Sequence, residues 1–264
     1  MRARGFTLVE LVISLVILAI LAVAVSNYLG LGARIYADVA EREQILGQSR
    51  FVAERLVREL RNAAPNSVRV NDVAGLSSCI EFIPVAASGV YRRLPVAPQS
   101  SNELQLELFN WNNSLLAQQL IVYPTTAAHY YAASDRRLSL QGASVTNAAA
   151  ITNPEQGASV QLALATAYSF ATDSPERRFY ILQTSVSYCA RDGEIRRLVG
   201  YDFSAGNPPP GAGVLMAQQI KSALFQVQPA VLTRNAVVNM FLQFGSDSSS
   251  DMFFNYEVHL PNVP

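Results

Sequence analysis

Between Phe6 and Gly32 the chain carries one charged residue, Glu10, in a run dominated by Leu, Val, Ile and Ala. Such a run constrains the fold more than any other feature. A helix that is apolar all round is stable in lipid, in a protein core or in an assembly, but not alone in water. As a helix, residues 6–31 would extend about 39 Å, enough to cross a hydrocarbon core of about 30 Å. Arg2 and Arg4 precede the run. Basic residues stay on the cytoplasmic side of a membrane, so everything after the run is expected to be exported. A cleaved secretory signal is the competing reading. Its apolar core would be about 7–15 residues with a small-residue cleavage site after it. Here the run is longer, and the candidate site, Gly5, lies before it.

The order of residues around that site is specific: a basic stub, Gly5, Phe6, then a lone acid at Glu10 inside the apolar run. It resembles the N-terminus of type IV pilins and type II secretion pseudopilins. The resemblance implies that a prepilin peptidase cuts between Gly5 and Phe6 and methylates the new N-terminal Phe6. It also implies an assembly role for Phe6 and Glu10, in which the glutamate of one subunit pairs with the α-amino group of Phe6 on a neighbour. An acid at the centre of a membrane helix costs about 2.5–3.5 kcal/mol, so a partner is expected. The plainer reading places Glu10 near the membrane interface, where it is tolerated.

Residues 33–64 carry Ile35, Val39, Leu46, Val52, Leu56 and Leu60 at helical spacing, with Arg and Glu on the other face. Glu54 and Arg58 stand four apart in the favourable order. Pro65 followed by Asn66 stops the pattern. One helix over 6–64 is therefore expected, with 6–31 spanning a membrane or an assembly and 32–64 amphipathic. Asn27, Gly30 and Gly32 are its expected points of bending or melting. Residues 1–5 form the cleaved leader, and 65–264 the head.

The head reads as β. Segments 77–85, 103–109, 120–123, 160–164, 179–188, 195–203, 224–227, 237–244 and 252–260 are rich in aromatic, branched or alternating apolar residues. Pro, Gly, Ser and Asn clusters separate them. Arg191-Asp192-Gly193 is a hairpin signal, 204–213 a loop, and 214–221 a short helix. Short turns between strands imply antiparallel pairing. The fold class is α+β: a long, partly transmembrane N-terminal helix whose amphipathic stripe packs on a mainly antiparallel β-sheet head.

Cys79 and Cys189 both fall in strand-like segments. In an oxidising compartment an even count favours a disulfide between them. Two buried free thiols are the alternative, because spacing alone does not bring sulfurs together.

Residue types that would carry chemistry are sparse. His129 and His259 stand far apart, with no ligand set at metal spacing, and no nucleophile or phosphate-binding motif appears. The reading is a non-enzyme with no cofactor and no metal. Arginine almost replaces lysine, Lys221 being the single one, and occurs in the doublets 92–93, 136–137, 177–178 and 196–197. Neighbours on a strand point to opposite faces and the formal net charge is zero. Solvated strand ends explain the doublets better than a nucleic-acid surface does. Asp247-Ser248-Ser249-Ser250-Asp251 lacks the EF-hand pattern and reads as a polar turn rather than a calcium site.

The segments RFVAERLVRELRNAAPNSVRV (50–70), SSCIEF (77–82), VSYC (186–189) and YEVHLPNVP (256–264) extend the resemblance. They are similar to minor pilin-like proteins of mannose-sensitive haemagglutinin (MSHA) pilus biogenesis, and more loosely to J-type minor pseudopilins. That similarity implies a subunit anchored once in the inner membrane, with a cytoplasmic N-terminus and a periplasmic head. Its expected partners are other minor and major pilins, the prepilin peptidase, inner membrane lipid and the pilus assembly platform, with no nucleic acid. The rival is an adhesin-like, ligand-binding head, which a groove lined with exposed aromatics would favour.

Overall fold

The computed structural model describes residues 7–73, 77–204, 206, 209, 211–230, 235–245 and 251–260. They form two compact units, Met1–Gly47 and Gln48–Pro264.

One helix, α1 (Leu8–Leu60), runs unbroken through Asn27, Gly30 and Gly32, so the melting expected there does not occur. At 1.5 Å per residue it is about 80 Å long. Thr7 starts it: its Oγ1 accepts the Glu10 amide at 3.3 Å, the first half of a Thr-x-x-Glu capping box. Tight turns end it, with the Asn62 amide on Glu59 O and the Ala63 amide on Leu60 O, each at 3.0 Å. Over residues 8–40 the helix is exposed, and Ile35 and Val39 retain 55% and 53% of their surface. The expected stripe therefore does not begin at Ile35. In the second unit its buried positions are Ser49, Val52, Ala53, Leu56 and Leu60. Full burial of a residue such as Leu56 contributes about 2–3 kcal/mol.

Among its described residues the second unit contains the last turns of α1 and fifteen strands. In chain order these are β1 (Arg69–Val73), β2 (Ser77–Phe82), β3 (Val85–Arg93), β4 (Ser101–Leu108), β5 (Gln119–Val122), β6 (Arg137–Ser139), β7 (Ser144–Val145), β8 (Ala158–Tyr168), β9 (Arg178–Leu182), β10 (Ser185–Arg191), β11 (Glu194–Tyr201), β12 (Val214–Gln218), β13 (Ile220–Gln228), β14 (Ala236–Phe244) and β15 (Met252–Leu260). A one-turn helix, α2 (Ala128–Tyr131), lies between β5 and β6. Three sheets result, in the orders β1-β2-β10-β11-β12, β6-β5-β9-β3-β4-β8-β7 and β13-β14-β15. Among the described residues every ladder between strands is antiparallel, with an isolated parallel bridge between Val96 and Phe170, and the α+β class holds.

Local chemistry accounts for several of these elements. In β8, Ala158, Val160, Leu162 and Leu164 are buried while their neighbours are not, the period of two that a half-buried strand requires. Asp192 (φ 52°) and Gly193 (φ 76°) form the two-residue turn expected between β10 and β11. Gly89 lets β3 approach β4, since a Cβ there would collide with the Glu107 carbonyl oxygen.

Two expected elements are corrected. The segment 179–188 is not one strand. It divides at Gln183-Thr184 into β9 and β10, which belong to different sheets. Ser185 to Ala190 are all buried, so hydrophobic periodicity gives no sign of the change. The segment 214–221 is not helical. It contains β12 and the start of β13, which meet at Gln219 in a left-handed conformation (φ 61°). The Gln218 amide is bonded to Gln48 Oε1 at 2.7 Å. Strands β1, β3, β6 and β7, outside or at the edge of the expected segments, are short, polar or glycine-containing.

Candidate functional site

The first unit presents a helix whose large apolar residues are exposed from Leu8 to Val39. From Leu8 to Leu31 each of them keeps about half or more of its surface, for example 51% at Leu11, 54% at Ile13 and 64% at Ile20. The most apolar window of α1, long enough to cross a membrane, is entirely exposed. A core helix would be buried; an exposed apolar helix of this kind fits lipid or other helices as its surroundings. Glu10 lies in the first turn of α1, where a carboxylate also favours the helix dipole. The Ser14 hydroxyl donates to the Glu10 carbonyl at 2.7 Å. Gly5 and Phe6, the expected processing site, lie outside the described residues. The Thr7-x-x-Glu10 cap was readable in the sequence, because it needs only a hydroxyl three residues before an acid ahead of an apolar run.

In the second unit, Cys79 and Cys189 form a disulfide. They are direct partners across β2 and β10, with Cα atoms 4.1 Å apart, and both are fully buried. One residue further along the same face stands Glu81, fully buried on β2. It is held by Arg69 Nε at 2.6 Å and by the Tyr201 hydroxyl at 3.0 Å. Tyr201 also bonds Ser187, and the Arg69 guanidinium lies 3.6 Å from the Tyr131 ring centroid. Burial pushes the Tyr131 and Tyr201 hydroxyls well above their ordinary pKa, so they stay protonated as donors. This network satisfies a carboxylate that would otherwise be costly to bury. The alternation Cys79-x-Glu81 places both side chains on one face, and that is its signal in the sequence.

The arginine doublets are largely engaged within the chain. Arg92 pairs with Glu107, and Arg93 with Glu103 at 3.6 Å. Arg136 and Arg137 donate to the carbonyls of Tyr123 and Tyr130. Arg196 meets Glu194 at 2.6 Å, and Arg197 meets Glu59 at 2.9 Å on the last turns of α1. Glu59 also accepts from Arg55 at 3.0 Å, the helix pair formed four residues apart. His129 accepts the Thr125 amide through Nδ1 at 3.2 Å, and burial followed by nearby Arg136 lowers its pKa. His259 is exposed beside Glu257. Asp251 is held by Lys221 and Gln243, and these hydrogen bonds lower its pKa; Asp247 lies outside the described residues. Among the described residues no group of three or more metal-ligating side chains assembles.

Two shallow grooves lie on the seven-stranded sheet. One, of about 390 Å³, is lined by Val90, Glu107, Phe109, Gly157 and Ser159, with Phe109 65% exposed. The other, of about 380 Å³, is lined by polar residues including Asn102, Gln105 and Gln161.

Residues 1–26 match the family model of the prokaryotic N-terminal methylation motif. No curated protein and no solved structure matches the chain. The motif supports a type IV pilin or pseudopilin subunit, a structural class whose general partners are other pilins and the prepilin peptidase. Among the described residues one helix is long and apolar enough to cross a membrane, and its place near the N-terminus fits a membrane-anchored member of that class.

Proposed function

We propose that the chain is a minor pilin-like subunit that assembles through α1 and helps to initiate or cap an MSHA-type pilus, resembling the minor pilin-like protein MshO. The observation that carries this reading is the methylation motif placed at the head of a helix about 80 Å long with an exposed apolar half. Prepilin peptidase cuts between Gly5 and Phe6, methylates Phe6 and so creates the α-amino group that Glu10 of a neighbouring subunit meets. The apolar helix then exchanges lipid for other pilin helices, which keep its side chains dry in both settings. The anchor lies in the inner membrane with the head in the periplasm. That placement suits a disulfide, which an oxidising compartment maintains. The size of the head suits an end position better than thousands of repeats along a shaft. A J-type minor pseudopilin of type II secretion is the variant of this reading with the same chemistry. Copurification distinguishes them: the chain should be recovered with sheared MSHA-type filaments when pilus genes are expressed, and with pseudopili if the variant holds.

A second reading, a ligand-binding head, is favoured by the groove beside Phe109. An exposed aromatic ring beside polar side chains is a usual platform for a ligand that is apolar on one face. If the head is a receptor for such a ligand, Phe109→Ala should lower cell adhesion tenfold or more while assembly is unchanged. If it is an assembly subunit only, adhesion should not move.

A further inference from the structure

We propose that residues 85–182 are an inserted body that folds and opens as its own cooperative unit, docked on the rest of the head by α2. The inference does not depend on the pilin reading. It rests on three observations.

The first is topology. The seven-stranded sheet consists of β3 to β9 without omission, while β2 and β10, the strands before and after it, pair with each other. Val85 and Leu182, the first and last residues of the segment, are partners across β3 and β9. Beside them the Gln183 amide donates to Pro84 O at 2.9 Å. The chain therefore leaves the five-stranded sheet and returns to it at one point, the geometry that lets a whole domain be inserted. The Cys79–Cys189 bond closes the base of that excursion.

The second is the core. Leu104, Leu106, Trp111, Val160, Phe179 and Ile181 belong to one buried cluster drawn wholly from residues within 85–182. A sheet that buries its own apolar side chains against its own loops has the means to be stable by itself.

The third is the small, polar-edged contact with the remainder. Ile121, Tyr130 and Leu182 pack with Ala64, Ile83 and Phe203. The Tyr130 hydroxyl donates to Pro65 O at 2.6 Å, and that of Tyr131 to Ser67 O at 2.9 Å. Local opening follows units with few shared buried contacts, so the boundary of cooperativity should fall here. The groove at Phe109 lies entirely on the inserted body, so any recognition there is separated from the helix-borne part.

The test is native-state hydrogen exchange with mass spectrometry on the full chain in detergent micelles, across low urea concentrations. In the wild type, amides of β4, β8 and β9 should share one opening equilibrium and urea dependence, and amides of β2, β10, β11 and β14 a different one. Leu106→Ala should speed exchange tenfold or more in the first group and less than twofold in the second, and Val52→Ala the reverse. A single common opening for all strands in the wild type would overturn the proposal. So would Leu106→Ala speeding exchange equally in both groups. The wild-type arm decides the matter even if a variant fails to fold.

Discussion

Replacing Cys79 and Cys189 together by alanine should destabilise the head by about 5 kcal/mol. The bond joins residues 110 apart in sequence, and loop-closure entropy grows with that separation. Its place at a register pair of β2 and β10 means that the reduced, unfolded chain must find this pairing across the whole inserted segment. Both side chains are buried, so the alanines would also leave a small cavity, which adds to the loss. The effect should fall on the five-stranded sheet first, because that is where the bond lies. The solvent-shielded Trp111, the single tryptophan, reports on the inserted body instead. Urea unfolding of the solubilised full chain, followed by exchange at β10 and by Trp111 fluorescence, would show it. A loss below about 1 kcal/mol would mean that the bond constrains little of the unfolded state.

Changing Glu10 should act in opposite directions on insertion and on assembly. Removing an acid from a membrane helix favours the lipid-inserted state by about 2.5–3.5 kcal/mol at the bilayer centre. Yet if Glu10 is the group that meets a neighbouring α-amino terminus, the same change should reduce recovery in sheared filaments tenfold or more. The cap at Thr7 complicates the reading of an alanine variant, because the third helical position is part of that cap. Glu10→Gln resolves it. Glutamine serves the capping box as glutamate does, but it brings no charge to an ammonium group. Both variants should fail to assemble while inserting at least as well as the wild type. Assembly of Glu10→Gln at the wild-type level, with loss only for Glu10→Ala, would reduce Glu10 to a helix-capping residue.

The parts legible from the sequence are those set by local pattern. An apolar run without proline gives a helix, and alternation gave β15 from Met252 to Leu260. The Asp192-Gly193 turn was legible because left-handed backbone at two successive positions selects such residues. Sheet membership was not legible. Nothing in Phe179 to Tyr188 says that β9 pairs with β3 and β5 while β10 pairs with β2 and β11, since the choice of sheet is made by distant residues, those of β2, β3 and β5. The stripe was misplaced at Ile35 and Val39 for a related reason. Helical spacing marks which face is apolar but not where along the helix a partner begins. Glu81 was overlooked because a buried charge looks in sequence like an ordinary polar strand residue until Arg69 and Tyr201 are seen around it.

The central claim is that residues 1–26 are a processing and assembly signal rather than a plain anchor. Intact mass and N-terminal sequencing of the membrane-extracted chain, coexpressed with a prepilin peptidase and without it, test it directly. The account predicts a peptidase-dependent start at Phe6 carrying one added methyl group. A chain that still begins at Met1 beside an active peptidase would contradict it, and would leave α1 as an anchor for a head whose role lies elsewhere.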